Sequence, residues 1–184
     1  VEMIHLITGG SGSGKSAYAE NELLRVGELQ TDAGRYPYVY AATMRPYGEE
    51  TMRKIMRHRQ MRAGKGFVTL ECPSGLSGVA LPENRGVLLE CVSNLAANEL
   101  FCEDGTIKDA KETAEKIIEG IRCISRQTEN LVIVTNEVNA DAECYSEETE
   151  RYIFLVGKVN QEIARMADRV TEVVYGIPVQ VKIR

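Results

Sequence analysis

Eight consecutive residues constrain this chain more than any others: Gly9-Gly10-Ser11-Gly12-Ser13-Gly14-Lys15-Ser16. They fit G-x-x-x-x-G-K-[ST], a loop whose backbone N–H groups wrap around phosphate oxygens. Glycines are required because side chains at the turning points would keep the backbone away from the phosphates. The loop follows a short apolar run, Glu2–Thr8, and opens into Lys15–Val26, where Ala17, Ala19, Leu23 and Leu24 favour a helix. Strand, glycine loop and helix in that order set the positive helix N-terminus against a bound anion. Lys15 then meets the β- and γ-phosphates, and the Ser16 hydroxyl can ligate Mg²⁺. A flexible Gly/Ser turn is the plainer reading, but it would need neither the buried strand before it nor the helix after it. The motif marks a site for a nucleoside triphosphate.

The remaining chain supplies a frame for such a site. Apolar runs at Tyr38–Ala42, Phe67–Leu70, Gly86–Val92 and Leu131–Thr135 read as strands. Between them, Glu49–Arg62 (with Met52, Ile55 and Met56 at helical spacing), Ser93–Phe101 and Lys108–Arg126 read as helices. A long helix over Ser146–Ala167 opens with Ser146 as N-cap. Two strands, Val170–Tyr175 and Val179–Ile183, close the chain around Gly176-Ile177-Pro178. Strands alternating with helices predict an α/β fold: a mostly parallel sheet with helices on both faces. The short turn between the last two strands predicts an antiparallel edge strand. At 184 residues without repeat or linker, one domain is expected. Ligands on such sheets sit at the carboxyl ends of the strands.

Composition removes other classes. A net charge of −5 argues against general nucleic-acid binding. No apolar run approaches the roughly 20 residues of a membrane span. The amino-terminal residues read as a strand and not as a signal peptide. Five dispersed cysteines without a C-x-x-C pair point to reduced thiols, no zinc site and a cytoplasmic address.

Two further features bear on chemistry. A P-loop protein holds Mg²⁺ with the help of an acid at the end of a neighbouring strand. Glu90 in Leu88-Leu89-Glu90 and Glu137 after Thr135-Asn136 both qualify, and a salt-bridged structural carboxylate is the bland alternative for each. The second feature is a basic run holding Arg57, His58, Arg59 and Arg62 in an acidic protein. A solvated helix face would explain the charge alone. Yet His58 is one of only two histidines, and like charges beside an imidazole favour its neutral, nucleophilic form. Such an imidazole can attack an α-phosphate while arginines hold the charge. His5, in the first strand, reads as a core or edge residue.

Taken in order, Thr8–Ser16, Ala41-Ala42-Thr43, His58-Arg59 with Arg62, Val87–Cys91 followed by Asn98, Val132–Val138 (VIVTNEV) and Gly157–Gln161 (GKVNQ) resemble the adenosylcobinamide kinase / adenosylcobinamide-phosphate guanylyltransferase family. The resemblance runs from end to end. It implies a RecA-like P-loop fold, a homotrimer, and two reactions: phosphorylation of adenosylcobinamide by GTP or ATP with Mg²⁺, then transfer of GMP to adenosylcobinamide phosphate. It places the guanylylated histidine on His58. It places nucleotide contacts on Gly9, Gly10, Ser11, Gly12, Ser13, Gly14, Lys15 and Ser16, on Ala42, Thr43 and Met44, on Arg59, Gln60, Met61 and Arg62, and on Glu71 and Glu90, with Ser16 and Glu90 at the metal. Three stretches depart from the family pattern: Gly12 replaces a bulky basic residue, Ala63–Phe67 is one residue longer, and Asn139–Tyr145 is acidic where the family has a glycine-rich turn. A kinase without guanylyl transfer, or a nucleotide-dependent binding module, are the rival readings.

Overall fold

The computed structural model describes residues 3–28, 36–46, 48–138 and 145–183. Among these residues seven strands form one sheet in the order β3-β2-β4-β5-β1-β6-β7. In chain order they are β1 (Met3–Thr8), β2 (Tyr38–Ala42), β3 (Phe67–Glu71), β4 (Val87–Glu90), β5 (Asn130–Val134), β6 (Arg169–Val174) and β7 (Ile177–Ile183). Neighbouring strands from β3 through β6 pair in parallel, and only β7 runs antiparallel, on β6. This is the RecA-like P-loop architecture expected from the sequence, with its antiparallel edge in the expected place.

Among the described residues five α-helices complete the layers: α1 (Lys15–Glu28), α2 (Gly48–Arg62), α3 (Val92–Leu100), α4 (Ala110–Ser125) and α5 (Glu147–Met166). Strand alternation divides the core in two. Leu6, Val87, Leu89, Leu131 and Ile133 face one side and pack with α3, α4 and α5. Ile7, Leu88, Val132 and Val134 face the other and pack with Ala19 and Leu23 of α1. A strand buried on both faces needs an unbroken apolar run, which is why β4 and β5 read as continuous hydrophobic stretches.

Helix starts follow their caps. Ser146 accepts from the Thr149 N–H at 3.3 Å, as expected. The helix expected from Lys108 instead begins at Ala110, because Asp109 takes the N-cap and accepts from the N–H groups of Lys111 and Glu112. The stripe expected to bury α2 is a larger correction. Met52 and Met56 are exposed, and α2 lies over a cavity at the strand ends with only Ile55 of the three half-buried. No described helix is long and apolar enough to cross a membrane.

Candidate active site

The site starts at the end of β1. Gly9 turns the chain with φ of 150°, and a Cβ there would lie 2.5 Å from the Val173 carbonyl oxygen on β6, so no side chain fits. Gly14 adopts φ of 91° against Gly176 at the β6–β7 turn. The Gly176 N–H donates to the Ser13 carbonyl at 2.8 Å, which ties that hairpin to the loop. Lys15 is buried at the first turn of α1 and donates to the Gly10 carbonyl at 2.9 Å, curling its ammonium over the loop. Burial lowers its pKa, while Cys91 and Glu90 act weakly in the other direction.

Glu90, at the end of β4, stands at the centre. One carboxylate oxygen accepts from the Ser16 hydroxyl, and the other accepts from Tyr40 of β2 at 3.2 Å and faces His58 Nδ1 at 3.9 Å. Burial, and then the Glu90 charge, push the Tyr40 phenol well above its ordinary pKa, so it remains a neutral donor. Thr43 fixes the strand end that presents Glu90: its N–H donates to the Glu90 carbonyl, and its hydroxyl accepts from the Cys91 N–H at 2.8 Å. The Glu90–Cys91 peptide is cis. Glu137, the alternative acid, is exposed and does not line the cavity. At the end of β5 the cavity is met by Asn136, which donates to Ser93 at 2.7 Å.

The opposite wall is α2. His58, Arg59 and Arg62 face a cavity of about 300 Å³ that also contains Ser11, Lys15, Ser16, Ala42, Met44, Glu71 and Glu90. Arg62 is 5% exposed, and its guanidinium lies 3.2 Å over the Tyr40 ring. Its Nη1 has no hydrogen-bond partner among the described residues, although the Glu20 carboxylate comes to 4.0 Å. Lys65, from the longer segment after α2, pairs with the same Glu20 at 2.8 Å. Arg59 binds Glu71 at 3.0 Å and bridges α2 to the end of β3. Gln60 is exposed and outside the cavity wall, and Thr43 is fully buried behind it. The Met61 side chain and residues 139–144 lie outside the described residues.

Tyr40, Asn94 and Asn136 line the cavity without having been singled out in the sequence. The signal for Asn136 was available, since it directly follows a buried strand. Charge alone selects its neighbour Glu137 instead.

A family model described as cobinamide kinase / cobinamide phosphate guanyltransferase matches residues 5–181. The chain belongs to this family. It is 32% identical over 192 residues to the bifunctional adenosylcobalamin biosynthesis protein CobU of Escherichia coli, covering 98% of this chain and 100% of the relative. It is 31% identical over 183 residues to the bifunctional protein CobP of Pseudomonas aeruginosa, covering 98% of each. The flagellar accessory protein FlaH of Methanocaldococcus jannaschii shares the fold, with a TM-score of 0.50 at 15% identity, over 99% of this chain and 79% of that one. Membership makes the chain a transferase with a nucleotide-binding P-loop.

Proposed function

We propose that this chain phosphorylates the hydroxyl arm of adenosylcobinamide with GTP or ATP, and then guanylylates the phosphate through a GMP–His58 intermediate. The observation that carries this reading is the single cavity in which P-loop Lys15 and α2 His58 face each other across Glu90. A kinase needs only the first wall, and a histidine nucleophile needs the second. Arg62 supports the reading: its Nη1 makes no hydrogen bond among the described residues and has the Glu20 carboxylate only at 4.0 Å, so a phosphate oxygen would give it the charge-assisted bond it lacks.

In the first step the substrate hydroxyl oxygen bonds to the γ-phosphorus. The bond between that phosphorus and its bridging oxygen breaks, the nucleoside diphosphate departs, and the hydroxyl proton passes to water. Lys15 and the loop N–H groups hold the charge of the transferring group. In the second step, with Nδ1 toward Glu90, the His58 Nε2 lone pair attacks the α-phosphorus of GTP. A P–N bond forms and pyrophosphate leaves. The imidazolium that results keeps its Nδ1 proton toward the Glu90 carboxylate. A phosphate oxygen of the phosphorylated acceptor then bonds to the α-phosphorus, and the P–N electron pair returns to Nε2. In this reading Arg59 and Arg62 hold the phosphate charge, and the Glu71 carboxylate accepts the N–H donors of guanine.

Ser16 with Glu90 behind it fits Mg²⁺, a hard cation that keeps most of its waters and leans on substrate phosphates. No cluster of three or more His, Cys, Asp or Glu among the described residues offers a protein cage for it. Mg²⁺ bound there neutralises phosphate charge.

Incubation with GTP labelled in the α-phosphate tests the reading. The protein should acquire a label that is lost in acid, survives base and maps to His58. His58→Asn should lose the label and the pyrophosphate release while phosphorylation of adenosylcobinamide continues. A label on another residue, or none, removes the guanylyl-transfer half.

A further inference from the structure

A second and larger cleft opens beside the nucleotide cavity. Its volume is about 970 Å³, against about 300 Å³ for the cavity that holds Lys15 and His58. The first space suits a nucleotide's phosphates and sugar and leaves no room for a bulky acceptor beside them. The second lies at the upper end of the range for small-molecule sites. Met44 and Asn94 belong to the walls of both, so the cleft adjoins the nucleotide cavity. We propose that this cleft, between the segment after β2 and the outer face of α3, seats the acceptor: a large molecule with apolar faces and a carboxamide-bearing edge. The proposal rests on the function proposed above and adds where its second substrate binds.

Three observations define the chemistry. The floor is apolar, formed by Met44, Pro46, Pro73 and Ala97, and a smaller recess reached past Met44 extends it toward Met52 and Ile55 of α2. The exposure of Met52, unexplained by the core, is accounted for as an edge of this surface. Second, the polar groups are mainly neutral. Asn98 donates to the Thr43 and Pro73 carbonyls at 2.8 and 2.9 Å, which uses both its N–H donors and leaves its amide with acceptor capacity only. That suits the N–H groups of a primary amide. Third, Arg45, the one cation on the cleft wall among the described residues, is paired with Glu103 at 3.4 Å. A second polyanionic nucleotide would find no uncompensated positive charge among the described residues of that wall.

The placement also answers a demand of two-step chemistry. One acceptor oxygen must reach a phosphorus held by the P-loop, and a phosphate on that oxygen must later reach a phosphorus on His58. Asn94 stands on the P-loop side of the opening, next to Ser93, whose hydroxyl is bonded to Asn136 of the strand end beside the loop. Met44 stands on the side of α2, sharing the smaller recess with Ile55 and Arg59. An acceptor seated in the cleft with its arm entering between them reaches both phosphorus positions by swinging the arm, without leaving its seat.

Plugs on opposite walls test this. Ala97→Trp fills the cleft from α3 and Thr51→Trp fills it from α2; both positions are half-buried cleft residues outside the nucleotide cavity. Equilibrium binding of adenosylcobinamide, followed without turnover, should weaken by roughly tenfold or more in each folded variant. Nucleotide binding and the GTP-dependent label on His58 should stay within about twofold of wild type. If either variant is folded by thermal melting and binds adenosylcobinamide as wild type does, the acceptor seat is elsewhere. Failure of the underlying function shows differently: wild-type protein would take no label from GTP, whatever the plugs do to corrinoid binding.

Discussion

Lowering the pH should destabilise this protein well before its carboxylates protonate, and His5 should be the reason. His5 lies on β1, 1% exposed, with Nε2 2.8 Å from the Thr171 hydroxyl. Its Nδ1 has no hydrogen-bond partner among the described residues, and the Glu22 carboxylate stands 3.9 Å away. Burial brings its pKa from 6.5 down to about 4; Glu22 resists this, and Arg169 and Arg25 add to it. Because the folded value lies below the unfolded one, the unfolded chain binds the proton first. Stability is therefore complete above pH 6.5 and is lost as pH falls toward 4. The whole interval amounts to ~3 kcal/mol, of which ~2 kcal/mol is lost by about pH 5. With a urea m-value of about 2 kcal/mol/M, the unfolding midpoint should drop by about 1 M between pH 7.5 and pH 5. Glu22 and Glu99 act in a lower window. Burial opposes their ionisation, but hydrogen bonds from Arg25 and Lys116 hold both below the usual carboxylate range. Urea titrations at half-unit pH intervals, on wild type and His5→Leu, separate the two windows. The variant should start less stable by about 1 kcal/mol for the lost hydrogen bond, with a flat response from pH 7.5 to 5. The chain has only two histidines, so imidazole NMR titrates His5 directly. An unchanged slope in His5→Leu, or a His5 resonance titrating near 6.5, refutes the reasoning.

Two further outcomes follow from the phosphate end of the site. Lys15→Ala should cut phosphoryl transfer by more than about 100-fold, because no other cation stands in the loop to hold the γ-phosphate; near wild-type turnover at saturating nucleotide would show that catalysis lies outside the P-loop. Glu90→Gln keeps the shape but weakens the acceptor that binds Ser16 and Tyr40, so activity should fall by more than about 100-fold while stability changes by about 1 kcal/mol or less; parallel loss of melting temperature and activity would make Glu90 structural.

Much of the fold was readable because it rests on local rules. Strands β4 and β5 are buried on both faces and must be apolar throughout. Ser146 declares a helix start by its own hydrogen bond. Where reading failed, a longer-range demand outweighed the local one. The spacing of Met52, Ile55 and Met56 is that of a core-facing helix, yet α2 covers a cavity, and the same spacing leaves two of the three in solvent. Periodicity reports that a helix has an apolar stripe and cannot report what the stripe meets.

The site shows the same division more sharply. Glu90 could be singled out from sequence because a carboxylate ending an apolar run has to be accounted for. Its partners could not: Tyr40 is 50 residues away and Ser16 is 74, and only the parallel register of β2 with β4 brings the first beside it. That register sets Ala42 opposite Glu90 and so puts Tyr40 one alternation back on the same face. A similar contrast stands just beyond the end of β5. Asn136, two residues past the end of β5, lines the cavity, whereas the charged Glu137 beside it is exposed and outside the cavity wall. A search for charge alone picks both acids. A search for residues on the inward side of a strand's carboxyl end picks Glu90 and Asn136, and it recovers the wall shared by the phosphate loop and His58.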